Sequence, residues 1–168
     1  MIVKIKKERD GFIMPTKGSD HAACYDVYVA EIEEVEPGFV ICHLGFSTEI
    51  EKGYKAILAA RSNITKYKWV LANGIGIIDE DYRNEWQARF RSVAPDRSVK
   101  TIIKKEMKDF LNDPKNYDIK DYDASFPYKV GERVAQMYFQ KVDEPEFIIV
   151  DETSETNRDG GFGSTGLQ

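Results

Sequence analysis

Cysteine is scarce in this chain. Cys24 and Cys42 are the only two, too few for a disulfide framework or a zinc site. Histidine is as sparse, and His21 and His43 stand isolated along the sequence, so neither is read as catalytic. No apolar run exceeds about five residues, as in Ala56-Ile57-Leu58-Ala59-Ala60, against the ~20 needed to span a bilayer. The start, Met1-Ile2-Val3-Lys4-Ile5-Lys6-Lys7, alternates instead of forming an apolar export block. A positive excess is missing too: 29 acidic residues against 24 basic ones give a net charge of -5. That balance argues against direct binding to a nucleic-acid backbone. Membrane, secreted-scaffold and zinc-finger classes are excluded, and a cytoplasmic location is expected (the host cytoplasm, for a viral source).

What is present fits one domain. A chain of 168 residues with 42% hydrophobic composition can bury a sizeable core without staples. Short runs rich in β-branched and aromatic residues recur: Tyr25 to Val29, Phe39 to Cys42, Tyr54 to Ala59 and Lys68 to Leu71. Glu85 to Phe90, Arg133 to Phe139 and Phe147 to Val150 continue the series, while Val3 and Ile5 alternate with lysines. Pro37-Gly38, Lys52-Gly53 and Asn73-Gly74 fall between runs, where reversals belong. The pattern predicts an all-β fold, a sandwich, jelly roll or barrel, over residues 1–153.

One stretch departs from it. Val99, Ile102, Ile103, Met107, Phe110 and Leu111 fall at helical spacing, predicting a helix over 98–111 that ends at Asn112 and Pro114. Residues from there to about Tyr128 resemble a surface loop. The whole of 96–128 reads either as an insertion docked on the β domain or as an arm for a protein partner. Residues 154–168 lose core-forming side chains and read as a flexible glycine-rich tail.

Five places carry residues suited to chemistry. In the tail, glycine amides, Ser164, Thr165 and the Arg158 guanidinium suit phosphate oxygens, and Phe162 has the shape to stack on a nucleobase; a simple flexible tail is the plainer alternative. Ala60-Arg61-Ser62-Asn63 reads as a capped helix start with Ser62 as N-cap, or as a phosphate cradle. In Asn73 to Tyr82, the strand Ile75 to Ile78 delivers Asp79 to its end, where a carboxylate can orient and deprotonate water. Ordinary turn residues are the alternative there. Asp26 within an apolar strand needs a partner or a cation's water shell. Gln136, in Gly131 to Gln136, needs hydrogen-bond partners of its own.

Taken in order, these segments resemble the five motifs of the trimeric dUTP pyrophosphatase (dUTPase) family. Ala22 to Asp26 is similar to the first motif, Ala60 to Asn63 to the second and Asn73 to Tyr82 to the third. Gly131 to Gln136 and Gly160 to Gly166 are similar to the fourth and fifth. The resemblance implies a β-barrel or jelly-roll protomer in a homotrimer, with the tail of one subunit closing over a neighbouring subunit's site. It implies hydrolysis of dUTP to dUMP and pyrophosphate with Mg²⁺ on the triphosphate, limiting uracil in DNA and supplying dUMP for dTMP synthesis. Asp79 would activate water. Tyr82 would pack on deoxyribose, and Asn73, Gly76, Ile77 and Ile78 would read uracil. Arg61, Ser62, Asn63, Gln136 and Arg158 would serve the phosphates, with Ser164 and Thr165 on the terminal ones. Phe162 and Gly163 would cover the base, and Asp26 would hold the metal through water. Cys24 stands where the family has glycine, Asn63 where it has serine or glycine, and Asn157 where it has arginine. The same fold also hosts dCTP deaminases and bifunctional relatives, and a regulator acting through 96–128 is a further alternative.

Overall fold

Alternation of apolar and polar side chains is what a strand with one buried face requires, and this chain obeys it in most of its runs. The computed structural model describes residues 1–93 and 125–155; the helix expected over 98–111 lies outside the described residues. Eleven strands occur among the described residues: β1 Val3–Lys7, β2 Thr16–Lys17, β3 Tyr25–Tyr28, β4 Glu31–Glu36, β5 Phe39–His43 and β6 Phe46–Ile50. They continue with β7 Tyr54–Ala60, β8 Trp69–Leu71, β9 Ile75–Ile78, β10 Gln87–Ser92 and β11 Arg133–Lys141. A single 3₁₀ turn, Ser62–Lys66, follows β7.

Every pairing is antiparallel. The sheets run β2-β3-β11-β7-β9, β4-β5-β10-β8 and β1-β6. One core joins them: Val27, Leu58, Val134 and Met137 from the five-stranded sheet meet Val40, Cys42, Leu71 and Phe90 from the four-stranded one. Trp86, Phe46 and Phe90 are its largest fully buried side chains, each worth ~1.5–3 kcal/mol of burial or more. The three expected reversals occur where glycine takes the left-handed backbone, at Gly38, Gly53 and Gly74 with φ of 81°, 82° and 71°.

Three expectations change. Phe147 to Val150 joins no strand and stays exposed, with Ile149 at 99% and Phe147 at 91%; a strand needs a ladder partner, and the run has none among the described residues. The loop reading fails at 126–128. Tyr128 is buried, and Phe126 packs edge-on against Trp69 at 5.0 Å and lies near Phe90 at 5.5 Å. Ser62 is not an N-cap either. Arg61 holds that position without a side-chain cap bond, and Ser62 is the first residue of the 3₁₀ turn. Among the described residues, no helix is long and apolar enough to cross a membrane.

Candidate active site

The connection from β8 to β9, which crosses from the four-stranded to the five-stranded sheet, builds one half of the site. Asn73 and Gly74 form its turn, closed by the Gly74 amide on the Leu71 carbonyl at 3.0 Å. Gly76 pairs with Leu58 of β7 so closely that a Cβ there would stand 3.2 Å from the Leu58 Cβ and 3.7 Å from the Asn73 amide nitrogen. Any side chain there would press on Leu58, while Asn73 stays at ordinary contact distance. Ile77 faces out, Ile78 turns inward, and Asp79 follows at the strand end with its carboxylate exposed. A tight turn carries the Tyr82 amide back to the Asp79 carbonyl at 3.2 Å.

Asn73, Ile78 and Tyr82 line one cavity of about 480 Å³, together with Leu58, Trp86 and Arg89. That size suits a nucleoside-scale ligand, and apolar walls with a few polar groups are the usual composition of such a pocket. Leu58, Trp86 and Arg89 were not legible as lining residues, because each sits on a strand or loop distant in sequence.

The other half lies across the five-stranded sheet. Register aligns Asp26 of β3, Gln136 of β11 and Ala59 of β7 in one row, so the two polar side chains share a face. Asp26 is clasped from both sides: Arg61 Nε donates to Oδ1 at 2.9 Å and Arg133 Nη1 to Oδ2 at 3.3 Å. Arg61 Nη1 also donates to the Arg133 carbonyl at 3.3 Å, and Gln136 Nε2 to the Ala60 carbonyl at 3.4 Å. Asn63 accepts a 3.0 Å hydrogen bond from the Tyr128 hydroxyl, whose burial pushes its pKa up to about 12. Arg133 and Tyr128 were not anticipated; the arginine signal was present beside Gln136 but reads as an ordinary exposed strand residue. Arg158, Phe162, Gly163, Ser164 and Thr165 lie outside the described residues.

Asp79 and Arg61 are not adjacent on one chain. Ala56 pairs with Ile78 and Ala59 with Ile75, so Asp79 stands level with the start of β7 while Arg61 follows its end. Six residues of strand, from Lys55 to Arg61, amount to roughly 20 Å. No residue lines both the Asn73–Tyr82 cavity and the hollow around Arg61 and Arg133.

A family model described as dUTPase matches residues 10–94, half of the chain. The chain belongs to the dUTPase family. A deoxyuridine 5'-triphosphate nucleotidohydrolase of Yarrowia lipolytica is 32% identical over 171 residues, covering 99% of this chain and 90% of the relative. One of Arabidopsis thaliana is 31% identical, covering 98% and 82%. In structure, a dUTPase of Staphylococcus bacteriophage 80alpha solved with dUPNHPP superposes with a TM-score of 0.74 at 23% identity, covering 99% of both chains. A mutant dUTPase of S. aureus phage phi11, described with a structural Mg(II) ion, gives 0.63 at 21% identity, covering 90% of this chain and 98% of that one. The jelly roll expected of a dUTPase is therefore the fold observed.

A dUTPase site has also to accommodate a metal. Among the described residues, no three His, Cys, Asp or Glu side chains gather as a metal cage. Asp26 is a lone carboxylate, already paired with two guanidiniums. This donor set does not build a resident site. It fits a Mg²⁺ ion delivered on a triphosphate, which keeps several of its waters and asks for only one or two carboxylates.

Proposed function

We propose that this chain hydrolyses dUTP to dUMP and pyrophosphate as a homotrimer, with residues 154–168 of one subunit closing over a site made by its neighbours. The observation that carries the reading is the shared cavity of Asn73, Ile78 and Tyr82 with the exposed Asp79 between the last two. Asn73 and the backbone of Gly76 to Ile78 hold the uracil edge. The Tyr82 ring packs on deoxyribose and leaves a ribose 2′-hydroxyl no room. Asp79 takes a proton from one water, whose oxygen attacks the α-phosphorus; the bond to the β-phosphate oxygen breaks and pyrophosphate leaves. Mg²⁺ arriving on the triphosphate neutralises charge on its oxygens.

The phosphates themselves need cations, because the chain is acidic overall. Arg61, with Ser62, Asn63 and Gln136 beside it, supplies them, while Asp26 meets the water shell of the metal. Arg158, Ser164 and Thr165 of the tail add donors from outside, and Phe162 with Gly163 covers the base. The span of β7 keeps Arg61 and Asp79 of one chain from serving one triphosphate. A second copy bringing its own Arg61 to this Asp79 resolves that, and the bare Phe147–Val150 run offers apolar surface for such a contact. Working in the cytoplasm, the enzyme limits uracil in DNA and supplies dUMP for dTMP synthesis.

A panel of deoxy- and ribonucleoside triphosphates, assayed for pyrophosphate with and without Mg²⁺, tests the proposal. Release from dUTP alone, falling at least a hundredfold in Asp79→Asn while nucleotide binding persists, is the expected outcome. Ammonia from dCTP, or an unaffected Asp79→Asn enzyme, would overturn it.

A further inference from the structure

Between Ile78 and Gln87 the chain forms no strand or helix, yet this segment carries Asp79 and Tyr82. Its own short-range bonds are few: the Tyr82 amide to the Asp79 carbonyl, the Tyr82 hydroxyl to the Glu85 carbonyl at 3.4 Å, and Arg83 Nη1 to the Glu80 carbonyl at 2.6 Å. What fixes it comes from elsewhere. The Glu80 carboxylate accepts the Gly53 amide, and Arg83 reaches the Thr48 carbonyl at 3.5 Å. The Trp86 indole donates to Thr48 Oγ1 at 3.1 Å, and the Trp86 amide to the Phe46 carbonyl at 2.9 Å. All four of these tethers end on β6 or the turn after it.

Glu85 is the most heavily bonded member. Its side chain is 16% exposed. One oxygen accepts the Gly45 amide at 3.0 Å, just ahead of β6, and Arg9 Nε lies 2.7 and 3.0 Å from the two oxygens. His43 Nδ1 stands 3.1 Å from the second oxygen. Arg9 is itself held by Glu31 at 2.5 Å, and His43 Nε2 by Glu33 at 3.0 Å. A half-buried carboxylate with this many charge-assisted partners is held to a narrow range of geometry. The Tyr82 hydroxyl then rests on the backbone of the residue so fixed.

We propose that Glu85, clamped by Arg9 from the N-terminal segment, is a positioning residue that sets where Tyr82 and Asp79 stand relative to the nucleoside cavity. This rests on the dUTP-hydrolysing reading but assigns the specificity of that site to a pair that touches no substrate. A ring packed on deoxyribose discriminates by fractions of an ångström. Loosening its foundation therefore costs selectivity against a 2′-hydroxyl as well as rate.

Glu85→Gln keeps the shape and removes the charge, and Arg9→Lys keeps the charge and removes the fork. Each variant is compared with the natural chain for kcat/KM on dUTP and on UTP, and for amide hydrogen exchange in residues 79–86 against β11. Expected for both variants are a roughly tenfold fall on dUTP, a several-fold narrower dUTP:UTP ratio, and faster exchange confined to 79–86. An unchanged ratio with unchanged local exchange overturns the proposal, as does equal loss on both nucleotides with faster exchange throughout. Should the natural chain release no pyrophosphate from dUTP, the activity assigned above fails, while the exchange comparison still decides whether Glu85 positions the segment.

Discussion

Burial decides the chemistry of individual side chains here more than residue type does. Cys42 is fully enclosed, and burial pushes its thiol up to about 12, so it serves as core filling; Cys24 is only partly covered. His43 looked isolated along the sequence, yet it is buried amid Arg9, Glu33, Glu85 and Gln87. Nothing in the local sequence announces that cluster, because its members come from four separate strands and loops. Glu85 shows the balance of forces: burial raises its pKa, but hydrogen bonds from Arg9 and His43, the Arg9 charge and the Gly45 amide outweigh burial and hold it below the ordinary value. A carboxyl lowered in the folded state stabilises the fold above its unfolded pKa of about 4.3 and loses that contribution as pH falls through the folded value. The melting-temperature advantage of the natural chain over Glu85→Gln should thus be largest near neutrality. It should shrink steadily below about pH 4.3 in thermal scans; a gap independent of pH would show that the charge contributes nothing.

Strands were legible where apolar residues face the core and little else happens. The cores of β5, β7, β8, β9 and β11 were readable for that reason. Three strands were not, the two-residue β2 among them. Glu31–Glu36 carries only Ile32 and Val35 among its acids, out of the alternation that marks a strand, and its Glu31 and Glu33 are held by Arg9 and His43. Phe46–Ile50 hides Ser47 and Thr48, both buried; Ser47 donates to Glu8 at 2.6 Å and Thr48 accepts from the Trp86 indole. β4 is made by pairing with β5 and β6 by pairing with β1, and the pattern within either run does not register such partners. The turn at Asn73-Gly74 that leads into β9 was legible because its signal is local, whereas the packing of Gly76 on Leu58 was not. The tolerance of that packing is narrow. Gly76→Ala should press on the Leu58 side chain and shift the strand that carries the site, costing about 1 kcal/mol of stability. A several-fold rise in KM for dUTP with a smaller change in kcat would accompany it; steady-state kinetics and denaturant midpoints check both.

At the scale of the molecule, Phe147 to Val150 is the one expected strand that found no sheet among the described residues. Four consecutive large apolar residues left in water are unusual for a stable monomer, and the run leads directly into the tail. Under the proposed assembly, Ile149→Asp is therefore expected to shift the protein from trimer toward monomer in light scattering, with dUTP hydrolysis falling in parallel. A trimer of unchanged mass and full activity would dissociate this run from assembly. Motif residues could be listed from the sequence, but the placing of Asp79 and Arg61 towards opposite ends of β7 could not, since that depends on strand register, which a list of motifs does not contain.

That division carries a genetic consequence. A chain damaged at Asp79 keeps a sound set of phosphate cations, and one damaged at Arg61 keeps a sound water-activating carboxylate. Under the proposed assembly, two such defective alleles expressed together would form mixed oligomers in which some sites draw both intact halves from different parents, so that lesions fatal alone complement one another.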